Sequence, residues 1–225
     1  MAEVVLLDIE GTIGPISFVR EVLFPYSRER LRAFIAASRE SAVVKDILDE
    51  AASLADGGDP IDALDDWQAK DIKAPPLKKL QGLIWESGYR SGAFRSEIFP
   101  DAFRALRQWK TDGLRLYVYS SGSVRAQLLY FEFSSDGDLR PLFSGHFDTD
   151  IGSKVEPSSY RCIAEHIGAT ANSMVFFSDS VKELEAARSA GLQAVHVVKD
   201  GTTSHPDFLG ISDFCEIAVD RPGTQ

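Results

Sequence analysis

VVLLDIEGT, residues 4–12, is an apolar run that stops at Asp8 and places Glu10 two positions later. A short, near-continuous apolar run before an acid reads as a strand covered on both faces. Asp8 then sits at the carboxyl end of that strand, where open α/β sheets bind their ligands. An aspartate there serves as a nucleophile, a metal ligand or a cap for the following turn, and alone it is most often the cap.

Working outward, three more stretches share this character: LRLYVYS (114–120), SMVFFSD (173–179) and LQAVHVV (192–198). Helical patterns lie between them. PDAFRALRQWKTDG opens on Pro100, carries Phe103, Leu106 and Trp109 at three-residue spacing, and ends at Gly113. SVKELEAARSAG runs from Ser180 to a glycine cap at Gly191, and EPSSYRCIAEHIG is a third such segment. Strand and helix in alternation predict an α/β fold with a Rossmann-like parallel sheet.

One stretch breaks the rhythm. About ninety residues separate the first strand from Pro100, where a crossover needs only about a dozen. Their pattern is helical in FPYSRERLRAFIAAS, AVVKDILDEAASLA and PPLKKLQGLIWESGYRSG, with a turn expected over ADGGDPID (55–62). A helical domain over 14–98, inserted into a core made of 1–13 and 99–225, fits better than one long wandering loop. The SRERLRAF face reads as a solvated helix with charge pairs.

Composition narrows the partners. A net charge of -10 argues against nucleic acid and against an anionic membrane surface. An acidic protein still binds a phosphorylated metabolite if a metal and a few local cations offset the charge. Cys162 and Cys215 are the only cysteines, so a disulfide framework is not expected and a reducing compartment fits. The first residues carry no basic leader and their apolar run is too short to span a membrane, which makes a soluble, cytoplasmic protein the expectation. RPGTQ (221–225) reads as a loose tail.

Asp179 ends its strand as Asp8 does, with Glu183 four residues on at a helix start. Two acidic strand ends brought together by a parallel sheet make a hard-oxygen site suited to Mg²⁺. The competing use of Asp179 is to cap the helix from Ser180. YSSGS (119–123) puts Ser120, Ser121 and Gly122 in a strand-to-helix turn able to meet an anion, a weak signal by itself. Lys154, in DIGSKVEPSSY, lies in a turn before a helix and could hold both Asp8 and a phosphate. His146, His166, His196 and His205 lack metal-ligand spacing and read as structural or surface residues.

Acid pair, Ser-Gly turn, lysine and acid, in that order after α/β strands, resemble the haloacid dehalogenase superfamily. Within it, LLDIEGTIGPISFVREVLFPY, LKKLQGLIWESGYRSG, YVYSSGSVRAQLLYF, GHFDTDIGSKVEPSSY and FFSDSVKELEAARSAG resemble the enolase-phosphatases, or acireductone synthases, of methionine salvage. That family keeps Glu at the second acid, and it commonly reads Thr-Thr where Ile13 and Gly14 stand here. The resemblance implies a helical cap after the first strand and a monomer. It also implies a phosphorylated diketone substrate, 2,3-diketo-5-methylthiopentyl 1-phosphate, converted to the acireductone plus phosphate.

Under that reading Asp8 is the nucleophile and Glu10 the general acid and base. Ser120, Ser121 and Lys154 bind the phosphate. Mg²⁺ is held by Asp8, Asp179 and the main-chain carbonyl of Glu10. Trp85, Tyr89 and Phe18 could line the methylthio tail, against packing inside the cap as their ordinary use. The alternatives are another capped phosphatase of the superfamily, a dehalogenase, which needs neither the metal nor the second acid, and a binding protein without turnover.

Overall fold

The computed structural model describes residues 2–199, 201–217 and 219, so the tail anticipated at 221–225 lies outside the described residues. In chain order the elements are β1 (Val4–Leu7), α1 (Phe24–Ala37), α2 (Ala42–Leu54), α3 (Pro60–Ala69), α4 (Pro75–Ser91) and α5 (Pro100–Thr111). There follow β2 (Arg115–Tyr119), α6 (Val124–Glu132), β3 (Gly145–Phe147), α7 (Pro157–His166), β4 (Met174–Ser178), α8 (Val181–Ser189), β5 (Gln193–Val197) and β6 (Leu209–Ile211). They form two compact units, Met1–Ile16 with Ser96–Gln225, and Ser17–Arg95.

In the first unit the strands make one parallel sheet of order β3-β2-β1-β4-β5-β6. Leu7 is level with Val118 on one side and Phe177 on the other, so the chain leaves β1, β2 and β4 side by side. The sheet is covered on both faces. Trp109 of α5 stacks on Phe177 at 5.3 Å, while Tyr160 of α7 meets the adjacent Phe176 at 5.2 Å, and adjacent strand residues point to opposite faces.

The four expected strands are present, and β3 and β6 are two that the apolar runs did not indicate. Both are three-residue edge strands containing a glycine, and each has only one buried side chain. The segment around 199–214 is tied back to α5. Lys199 Nζ donates to Asp101 Oδ2 at 2.6 Å and to Ser212 O at 2.7 Å, and the Phe214 amide donates to the same carboxylate oxygen at 3.0 Å.

The helical unit closes around Leu31, Ile35, Ile47, Leu64, Leu80 and Ile84. The turn expected over 55–62 ends sooner, because α3 begins at Pro60. Asp59 caps it, its carboxylate accepting from the Ile61 amide at 2.7 Å and the Asp62 amide at 3.3 Å, and proline suits the first helical position. Arg32 of α1 reaches across to this helix, pairing with Asp62 at 2.6 Å and Asp65 at 2.5 Å. Phe18 and Tyr89 are buried and meet Phe94 edge-on at 6.1 and 4.7 Å. Trp85 donates to Leu23 O at 2.7 Å. Phe18 and Tyr89 thus pack within this unit, while Trp85 stays partly exposed. No helix of the described residues is long and apolar enough to cross a membrane.

Candidate active site

The chain turns sharply after β1. The Ile9 carbonyl accepts from the amides of Thr12, Ile13 and Gly14 at 3.1, 3.0 and 3.0 Å, and the Gly11 amide donates to Gly14 O at 2.8 Å. Ile13 is buried, and a Cβ at Gly14 would overlap the Tyr130 hydroxyl, which donates to Glu97 O at 2.5 Å. Position 13 thus sends its side chain into the core, and position 14 has no room for one.

Asp8 is 4% exposed at the mouth of the central strand. Its Oδ1 accepts from the Ile9 amide at 2.9 Å and lies 2.6 Å from Lys154 Nζ, which also meets Glu183 Oε2 at 2.7 Å. Oδ2 is held more loosely, 3.4 Å from the Ser178 hydroxyl, which lies nearer Glu183 Oε2 at 3.1 Å. Burial alone would lower the Lys154 ammonium, but the charges of Asp8 and Glu183 outweigh it and hold it above its ordinary value.

The other acids are pushed the opposite way. Burial, then the negative charge of Asp8, raise Asp179 to about 6 and Glu183 to about 7, and raise Glu10 for the same two reasons. Burial is the larger cause in each case, and the charge of Asp8 adds to it.

Ser120 is buried at the end of β2 and directs its hydroxyl to Glu10 Oε2 at 3.2 Å, accepting from the Gly122 amide at 3.1 Å. Ser121 is exposed one residue farther on. Asp179 does not cap α8. Its amide donates to Thr12 Oγ1 at 3.1 Å and its carbonyl lies 3.2 Å from His196 Nε2. Because His196 Nδ1 accepts from the His205 amide at 3.3 Å, the ring proton sits on Nε2 and points at that carbonyl.

The expected residues Asp8, Lys154 and Asp179 therefore share one strand-end cluster with Glu10 and Ser120. Glu183, Ser178, Thr12 and His196 belong to it as well. Glu183 carried a signal, its position four residues after Asp179; the other three had none in the local sequence.

The family model of haloacid dehalogenase-like hydrolases matches residues 2–191. The chain is 57% identical to an enolase-phosphatase E1 of a Bradyrhizobium species, covering 100% of this chain and 97% of that protein. It is 43% identical to the enolase-phosphatase E1 of Aquifex aeolicus, covering 97% and 100%. The crystal structure of the UTR4 protein of Saccharomyces cerevisiae superposes with a TM-score of 0.81 at 32% identity, covering 96% of this chain and 100% of that one.

Proposed function

The chain belongs to the enolase-phosphatase E1 family of haloacid dehalogenase-like hydrolases, and from that premise we propose how it acts on its substrate. It is a phosphomonoester hydrolase that converts 2,3-diketo-5-methylthiopentyl 1-phosphate to the acireductone and phosphate. The observation carrying the residue assignments is Asp8 at the end of the central strand, one carboxylate oxygen gripped by Lys154 and the Ile9 amide.

Phosphatases of this superfamily generally use Mg²⁺. Among the described residues no three His, Cys, Asp or Glu side chains group so as to hold a metal by themselves. The donor set nonetheless fits, because Mg²⁺ commonly takes one or two carboxylates and fills its remaining positions with waters and substrate oxygen. Asp8, Asp179 and the Glu10 main-chain carbonyl would hold it. When bound, the ion offsets charge on the transferred phosphoryl group.

The rest of the chemistry falls to the chain. Asp8 Oδ1 is occupied by two donors, which leaves Oδ2 as the oxygen that attacks phosphorus and forms an aspartyl phosphate. Lys154 spends two of its N–H bonds on Asp8 and Glu183 and offers the third to a phosphate oxygen, with Ser121 as a further donor. Ser120 steers Glu10, which protonates the leaving oxygen and then activates the hydrolytic water. The longer side chain of Glu10 lets the same carboxyl serve the carbon or carbonyl oxygen of the diketone during enolisation. We assign the helical unit the role of the cap expected over 14–98. We also take the enzyme to be a cytoplasmic monomer, for which the two free, exposed cysteines suit a reducing compartment.

The test is incubation with Mg²⁺ and the diketone phosphate, following enediol absorbance and free phosphate together. Both should rise in the wild type and both should stop on chelation. Glu10→Asp should slow the diketone at least about tenfold while hydrolysis of a simple ester falls less. Equal turnover of the diketone by this variant would exclude the dual role of Glu10.

A further inference from the structure

Lys154 stands on the loop between β3 and α7, and three consecutive carbonyls of that loop are each taken by a side-chain hydroxyl. Tyr119 Oη donates to Gly152 O at 2.9 Å, Ser159 Oγ to Ser153 O at 2.7 Å, and Tyr160 Oη to Lys154 O at 2.7 Å. Tyr119 and Tyr160 have no exposed surface and Ser159 has 2%. Loop carbonyls ordinarily turn to water. Here the end of β2 and the first turn of α7 supply a hydroxyl to each, and the Glu156 amide also donates to Ser153 O at 3.0 Å.

The fit is close at Gly152. Its φ is +138°, and a Cβ there would overlap the Ser159 hydroxyl. The two tyrosine rings pack edge to face at 5.5 Å within the core, where phenylalanine would fill the same space. Their hydroxyls therefore have no packing purpose, and both are spent on the loop that carries the lysine. The Tyr119 ring also faces the ammonium itself, with Nζ 5.8 Å from its centroid.

A lysine stem is long and flexible, so an ammonium is placed accurately only if its backbone root is fixed. We infer that Tyr119, Ser159 and Tyr160 are positioning residues that fix the main chain of 152–154 and thereby set where Lys154 meets Asp8 and the phosphate. The inference rests on the role proposed for Lys154 above. Nothing in it requires the hydroxyls to touch substrate.

The test is a set of double-mutant cycles read by calorimetric binding of inorganic phosphate to the full-length enzyme with Mg²⁺ present. Tyr160→Phe and Ser159→Ala should each weaken phosphate binding about tenfold in the wild-type background. In a Lys154→Met background the same changes should have no further effect, because they act through the lysine. Tyr117→Phe, on the same strand as Tyr119, should bind as wild type. If Lys154→Met itself binds phosphate normally, the role of the lysine falls. If Lys154→Met binds weakly while both hydroxyl variants bind normally, the positioning role falls alone. Equal weakening in both backgrounds also overturns it, since the hydroxyls would then be acting elsewhere. Should Tyr160→Phe fail to fold, Ser159→Ala carries the cycle.

Discussion

The α/β unit carries exposed ion pairs, such as Arg140 with Asp138, as the helical unit does, but it also buries pairs of a kind that the described helical unit keeps at the surface. In the α/β unit, Lys154 and Asp8 are bonded with side chains 8% and 6% exposed, and Lys199 and Asp101 with 15% and 11%. In the helical unit Lys79 pairs with Glu50 at 58% and 34%, and Lys70 with Asp66 at 62% and 50%. The polar groups inside the helical core are neutral, Gln81 Nε2 donating to Gln68 Oε1 at 3.2 Å with Ser27 beside it. Burying a charge is costly unless it is paired and hydrogen-bonded. Among the described residues the α/β unit bears that cost at Lys154–Asp8 and at Lys199–Asp101, and only the first lies in the strand-end cluster. Burial of charge alone therefore does not mark chemistry.

The largest effect should follow from Asp8→Asn, which keeps the shape of the site and removes the attacking oxygen. Phosphate release should fall by at least about a thousandfold, measured in single-turnover assays. Near wild-type release would break the comparison at its centre, because the buried cluster would then be structural too.

Asp101→Ala should separate the two buried pairs. It takes the carboxylate from Lys199, which keeps Ser212 O, and from the Phe214 amide, and should cost about 3 kcal/mol in urea unfolding. Its turnover per folded molecule should stay near wild type. A large loss of turnover would mean that the latch between α5 and 199–214 shapes the site.

A smaller, pH-dependent effect should come from His146. Burial pushes its pKa from the ordinary 6.5 down to about 4, and Phe131 and Phe143 flank the ring. Between those values the unfolded chain takes up a proton that the folded chain does not, so stability falls as pH drops through this window. Above it the residue is neutral in both states and adds no slope. Melting temperatures of wild type and His146→Gln, followed from pH 7 to 4.5, should show a shallower decline in the variant.

Smallest of all should be Lys79→Ala in the helical unit. An exposed pair of this kind should move the melting temperature by no more than about 2 °C. A larger shift would mean that surface pairs in this unit carry weight that their exposure hides.

The central strands were legible because each is an uninterrupted apolar run, and Asp8 and Asp179 because each run stops on an acid. Lys154 has no such local mark, since a lysine in a turn before a helix is usually a solvated charge, and only the order of the motifs singles it out. The edge strands were not legible, since a three-residue strand with a glycine has no period to detect. The start of α3 was carried by Asp59-Pro60, a cap and first-turn pair that a turn reading absorbed. Ser178 and Asp8 are 170 positions apart, and the Thr12 contact to Asp179 spans 167. Contacts of that range are made by sheet order and leave no local pattern. His196 reads as structural from the sequence, and its strand position gives no sign that its ring supports the carbonyl of Asp179.

The turn after β1 is held by main-chain bonds converging on one carbonyl, so its hydrogen bonds use no side chain of 13 or 14. That gives these positions evolutionary latitude, but not independence. Gly14 and Tyr130 compete for one volume, and a relative with threonine at position 14 must move its aromatic hydroxyl or lack it. The two sites should therefore change as a linked pair, 116 positions apart, with a bystander helix recording the history of the catalytic turn.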